Sequence, residues 1–158
     1  MRIVIALDTS AHSDRALDWV TRIRWPAGSR MLAVSVMQPM PVALSGYETG
    51  PALAEEYGVL RDQLNDRLVD ARRRLREAGF SADIRVVNGD PRDALVELVR
   101  AEHADLVVMG SHGRTGFAKL VMGSVSSHVV THAPCSVLVV KADTCVEPTQ
   151  PPQKEEQS

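Results

Sequence analysis

Ala104-Asp105-Leu106-Val107-Val108-Met109-Gly110-Ser111-His112-Gly113-Arg114-Thr115-Gly116 runs from an apolar stretch straight into a glycine-rich turn, and Gly123-Ser124 stand at the mouth of the next helical run, Val125 to His132. A short apolar run bounded by glycines reads as a strand buried on both faces. Glycines at 110, 113 and 116 let the backbone turn tightly and present its amides outward. Amides in such a turn, joined by those at a helix start, form a site for an anion, phosphate above all. No Gly-Lys-Ser/Thr follows the glycines, so this is not the P-loop of nucleoside triphosphatases. The Gly-x-Gly-x-x-Gly spacing of dinucleotide folds is absent too.

Outward from that stretch, strands and helices alternate. Ile3 to Leu7 is a continuous apolar run, and Ser13 to Arg24 is predicted helical, with Ala16, Leu17, Val20 and Ile23 on one stripe before Trp25-Pro26 ends it. Met31 to Met37 reads as the second strand and Gln38 to Pro51 as a Pro- and Gly-containing loop. A long helix from Ala52 to Ala78 carries Leu53, Tyr57, Leu60, Leu64, Leu68, Ala71, Leu75 and Ala78 at spacings of three and four, and Gly79 stops it. Arg72-Arg73-Arg74 lies on this helix among Asp62, Asp66, Asp70 and Glu77 and reads as a solvated face. Ile84 to Val87 is the third strand. Asp90 and Pro91 supply the N-cap and first position of the next helix, whose core stripe is Leu95, Leu98 and Val99. Leu106 to Met109 and Ser136 to Val140 are the fourth and fifth strands. There is no internal repeat.

Alternating strands and helices with right-handed crossovers predict an α/β fold: a doubly wound, five-stranded parallel sheet in order 3-2-1-4-5 with helices on both faces. Strands 1 and 4 are then neighbours from which the chain winds away in opposite directions, and ligands bind beyond their carboxyl ends. Two loops meet there, Asp8-Thr9-Ser10 after strand 1 and Gly110 to Gly116 after strand 4. Asp8 beside an anion cradle suits a ribose hydroxyl or a divalent cation. It equally suits a side chain that caps the turn, and the residues alone leave both open. At the last helix, Ser124 reads either as an ordinary N-cap or, with the amides of Val125 and Ser126, as part of the phosphate site. Arg114 and Lys119 add positive charge nearby.

Gly110, Gly113, Gly123 and Ser124 fill every fixed position of Gly-x2-Gly-x9-Gly-Ser/Thr, and Ala133-Pro134-Cys135-Ser136-Val137-Leu138-Val139-Val140 follows as a closing strand. In this the chain resembles the ATP-binding members of the universal stress protein family over residues 2–141. The resemblance implies the adenine nucleotide α-hydrolase-like sheet order already derived. It implies ATP with Mg²⁺ or Mn²⁺ as ligand, Asp8 on the ribose side, and the backbone at Val36 reading the adenine edge. Met109, Gly110, Gly113, Arg114, Gly123, Ser124, Val125 and Ser126 complete the implied nucleotide site. It also implies a homodimer through the fifth strand, where Val137, Leu138, Val139 and Val140 form an apolar edge. The function expected on this basis is that of a stress-linked regulator or sensor with slow or no ATP hydrolysis. An ATP-dependent enzyme on the same fold, a nucleotide-independent dimeric interaction module and a cyclic-nucleotide binder remain as alternatives.

Composition bounds the rest. At 158 residues, 44% apolar and 24% charged, the chain is one domain with a real core, expected over residues 1–142, and a polar, Pro-containing tail over 143–158 that is expected to be disordered. A net charge of −2 and 4% aromatic residues give no footprint for nucleic acid. No apolar run approaches the roughly 20 residues of a membrane span. Cys135 and Cys145 make no disulfide framework, and cytoplasm is the expected compartment. His128 and His132, four apart and near Cys135, could suggest a metal, but no His-Glu-x-x-His pattern is present. No catalytic residue is expected: His112 has no second acid or base fixed beside it, and no Gly-x-Ser-x-Gly elbow occurs.

Overall fold

The computed structural model describes residues 1–39, 50–112 and 122–141. Gly113, Arg114, Gly116, Lys119, Cys145 and the tail, together with most of the Gln38–Pro51 loop, lie outside the described residues. Among the described residues nine elements alternate: β1 Arg2–Ala6, α1 Ala11–Arg22, β2 Arg30–Met37, α2 Gly50–Glu77, β3 Ser81–Asn88, α3 Pro91–Ala101, β4 Leu106–Gly110, α4 Ser124–His132 and β5 Ser136–Val140. The five strands form one sheet in the order β3-β2-β1-β4-β5, all parallel, as the alternation predicted.

The side-chain alternation of β1 sets the two layers of core. Ile3, Ile5 and Leu7 join α1 and α2 through Ala16, Leu17, Val20, Leu68, Ala71 and Leu75. Val4 and Ala6 face the opposite way, toward Leu95, Leu98 and Val99 of α3 and Val129 of α4. A central strand buried on both faces has no polar position to spare, which is why its sequence reads as an unbroken apolar run.

The helix ends follow local chemistry. Asp90 caps α3 by accepting from the Arg92 amide, with Pro91 at the first helical position. Gly79 ends α2 with φ +90°, its amide on the Arg76 carbonyl at 2.9 Å and that of Phe80 on Leu75 at 3.0 Å. This left-handed geometry closes the last turn and favours glycine.

The boundaries of most elements differ from the sequence reading by one or two residues, and α2 begins at Gly50, inside the expected loop. α1 starts and ends two residues earlier, because Ser10 caps it and because Ile23 already leaves the helix. The Trp25 indole N–H then takes the Val20 carbonyl at 2.9 Å, satisfying an acceptor at the helix end. β3 extends in both directions beyond Ile84–Val87, pairing with β2 from Ser81 to Asn88. Ala78, placed on the core stripe by spacing, is exposed past the end of α2.

Candidate functional site

β1 and β4 lie side by side with Ala6 beside Met109, so the chain leaves both strands at one edge of the sheet. β1 is tied down to its last residue. The Leu7 amide donates to Val34 at 2.8 Å, and the buried Ser35 hydroxyl donates to the Leu7 carbonyl at 2.9 Å. The chain then turns at Asp8, whose Oδ1 accepts from the Ser10 amide at 2.9 Å and from the Ser10 hydroxyl. Asp8 thus caps its own turn through Oδ1. Ser13 closes the structure, its hydroxyl donating to the Asp8 carbonyl at 2.8 Å.

Across the switch point, Gly110 ends β4 against the first turn of α1. A Cβ at Gly110 would lie 2.8 Å from the carbonyl carbon of His12. The glycine is therefore needed for strand-to-helix approach, whatever it offers a ligand. Met109 is buried toward α3 and α4. Ser111 is buried too, with its amide on Val140 at 2.9 Å. Its carbonyl accepts from the Gly123 amide at 2.8 Å and from the Ser126 hydroxyl at 2.8 Å. One carbonyl thus anchors the start of α4 to the end of β4, a role that no sequence signal announced.

That anchoring decides how α4 begins. Gly123, not Ser124, is the N-cap, and no side chain caps the helix. The Ser127 amide is the first to bond back, to Gly123 at 2.9 Å. The amides of Ser124, Val125 and Ser126 therefore occupy the first turn, where helical geometry offers them no acceptor and the dipole is positive. The competition between a serine cap and an anion, open in the sequence, does not arise. A Cβ at Gly123 would stand 3.3 Å from the Ser111 carbonyl oxygen and 3.4 Å from the Cα of His112, so the glycine keeps the cradle's floor clear.

Val36 occupies the third side. Val34 carries its carbonyl to β1 and Met37 carries its own to Gly89 beyond β3. Backbone groups alternate along a strand, so the amide and carbonyl of Val36 point to the β1 side, past the point where β1 has turned away. This leaves a main-chain donor and acceptor facing the crevice. Asp8, Gly110, Gly123 to Ser126 and the Val36 backbone are thus gathered at one edge of the sheet.

His128 and His132 have partners of their own. His128 and His132 stack with ring centroids 4.1 Å apart, His128 reaches Asp93 at 3.4 Å, and the His132 ring meets the His128 carbonyl. Among the described residues no group of three His, Cys, Asp or Glu side chains could hold a metal. Burial, with the charge of Asp105, pushes the Cys135 thiol up and keeps it protonated. Asp8 is the carboxylate at this edge, with Oδ1 engaged in the turn. Among the described residues no helix is long and apolar enough to cross a membrane.

The sequence model of the universal stress protein family matches residues 1–141. The chain belongs to that family. A universal stress protein of Thermus aquaticus, encoded in the 3′ region of a QAH/OAS sulfhydrylase, is 33% identical over 144 residues, covering 88% of this chain and 97% of the relative. UspA of Lactobacillus plantarum superposes with a TM-score of 0.76 at 20% identity over 89% of this chain and 97% of its own, a likeness of fold alone. A universal stress protein solved in complex with cAMP superposes with a TM-score of 0.66 at 28% identity, over 89% and 96% of the two chains.

Proposed function

We propose that this universal stress protein binds ATP at the β1–β4 switch point and acts as a stress-linked regulator or sensor. The observation that carries the proposal is the start of α4. It has first-turn amides, no side-chain cap and a glycine at its N-cap, and it follows β4 at the same end of the sheet as the Asp8 turn. Adenine would lie on the Val36 backbone, ribose toward Asp8, and phosphates on Ser124, Val125 and Ser126. Gly113 and Arg114 would extend the cradle, and a Mg²⁺ or Mn²⁺ ion would come bound to the phosphates. The amides at the start of α4, with those the sequence offers from Gly113 to Gly116, suit a chain of phosphates better than a single phosphodiester. The cAMP complex of a related protein is the specific reason to keep a cyclic nucleotide as the second reading.

Turnover in this reading is slow. The site offers amides and a carboxylate already engaged in a turn, but phosphoryl transfer also needs a group that orients the nucleophile.

We also propose a homodimer through β5, the edge of the sheet. Val140 accepts from Ser111, so by alternation the backbone groups of Val137 and Val139 point outward, away from β4. Val137, Leu138 and Val139 are half-buried and only Val140 is buried. Such an edge invites pairing with a second copy.

Thermal unfolding with ATP, AMP and cAMP tests the ligand. A ligand at 100 times its dissociation constant raises stability by about 2.7 kcal/mol, so ATP should shift the melting temperature of wild type clearly. Gly123→Val should abolish the shift while the protein still folds. Stabilisation by cAMP alone would favour the second reading, and equal responses of wild type and Gly123→Val to ATP would remove the site assignment.

A further inference from the structure

We infer that Arg67, on α2 and outside the nucleotide crevice, is a positioning residue that holds the Asp8–Ser13 turn in its binding geometry; this rests on the ATP reading above. One terminal nitrogen, Nη2, lies 2.9 Å from the Ser10 carbonyl, 3.1 Å from the Ser13 hydroxyl and 2.7 Å from Asp14 Oδ1. The Ser13 hydroxyl in turn donates to the Asp8 carbonyl at 2.8 Å. A continuous polar chain therefore joins the long helix to the residue assigned to the ribose.

The helix needs this support. The bond that should close its first turn, from the Asp14 amide to the Ser10 carbonyl, is long at 3.4 Å. Arg67 at 2.9 Å and the Ser13 hydroxyl at 3.0 Å are the closer donors to that carbonyl. Removing the guanidinium would leave the Ser10 carbonyl with one weak backbone partner and one shared hydroxyl. The turn at Asp8 would keep the Asp8–Ser10 bonds and the Ser13 hydroxyl, but that hydroxyl would no longer be fixed by the guanidinium.

Packing by itself does not account for arginine at this position. The Arg67 side chain is 23% exposed, yet its Nε is buried with no hydrogen-bond partner. An unsatisfied buried donor costs stability. The residue tolerates that cost at the place where Nη2 engages three oxygens of the β1–α1 connection. The adjoining groove, about 410 Å³, is lined in part by Leu7, Thr9, Asp14, Leu17 and Arg67 itself.

The test uses the full chain with Arg67→Met and Arg67→Lys. Without nucleotide, Arg67→Met should accelerate hydrogen exchange at the Ser10 and Ser13 amides and leave those of β4 unchanged. By calorimetry it should weaken ATP on the order of tenfold, the effect of losing a charge-assisted contact, and Arg67→Lys should recover part of the loss. In an Asp8→Asn background the effect of Arg67→Met on ATP should largely vanish, because two residues acting through one turn are not additive. Should Arg67→Met fail to fold, Ser13→Ala breaks the same relay and carries the same expectations. Faster exchange with unchanged ATP affinity makes Arg67 structural only and overturns the proposal. An undiminished effect in the Asp8→Asn background overturns it as well. Wild type that binds no adenine nucleotide refutes the ATP reading and the binding claim with it, whereas unchanged exchange at Ser10 and Ser13 refutes the positioning claim by itself.

Discussion

Gly110→Ala should destabilise the protein, although alanine normally improves on glycine. The added Cβ would lie 2.8 Å from both the carbonyl carbon and the Cβ of His12 and 2.9 Å from its carbonyl oxygen. Carbon atoms in contact sit about 3.5–4.0 Å apart, so the overlap is at least about 0.7 Å. Two of the three obstructing atoms are α1 backbone, which cannot rotate aside. α1 must slide or the end of β4 must bend. Overpacking of this kind costs about 1–3 kcal/mol, against about 0.4–1 kcal/mol returned by the stiffer unfolded chain. The net is a loss of about 1–2 kcal/mol. At roughly 2–4 °C per kcal/mol for a chain of this size, the melting temperature should fall by roughly 2–8 °C. Gly58→Ala is the matched control. Gly58 sits inside α2 with nothing within 4 Å of an added Cβ, so alanine there should stabilise by up to about 1 kcal/mol. Calorimetric melting of the two variants should give shifts of opposite sign. If Gly110→Ala rises in parallel with Gly58→Ala, the close approach of β4 and α1 is not what requires glycine at 110.

The remaining predictions concern acid, assembly and the two binding tests above. Side-chain and amide hydrogen bonds from Arg92 hold the Asp90 carboxyl down to about 2, whereas in the unfolded chain it titrates near about 4. Its contribution is therefore complete above about pH 4 and disappears as the pH falls toward about 2. Melting curves of wild type should drop more steeply across that window than those of Asp90→Asn, and parallel curves would show that the pairing contributes nothing. Val139→Pro removes an outward-pointing amide that the β4–β5 ladder does not use, so it should yield a folded monomer in sedimentation. A wild type that is already monomeric at micromolar concentration, or a variant that remains dimeric, would exclude β5 as the interface.

The 3-2-1-4-5 order comes from the doubly wound layout that the family resemblance also implies, but local rules on the sequence were enough for placing the strands and helices along the chain. Each rests on signals a few residues long: the apolar run of β1, the three-and-four spacing of α2, Asp90-Pro91 before α3 and Gly79 after α2. The start of α4 was legible to within a residue, Gly123 rather than Ser124 being the N-cap, and the glycine turn from Gly113 lies outside the described residues. Four features of the site were not legible. Ser10 as the cap of α1 was hidden because the next residues, Ala11 and His12, are not yet on the apolar stripe. Gly110 read as a ligand-facing glycine, and only the structure shows His12 filling the space where its Cβ would be. The Ser111 carbonyl as the anchor of α4 left no side-chain trace. Arg67 stands 54 residues from Ser13, and the solvated-face reading of Arg72-Arg73-Arg74 on the same helix holds for Arg73 with Asp70 and Glu77 but fails at Arg74, which pairs with Asp18 of α1. Periodicity and capping report what a residue prefers for its own backbone. Which carbonyl a distant guanidinium reaches, and which strand end leaves no room for a methyl group, is set by how layers pack, and packing joins residues that sequence keeps apart.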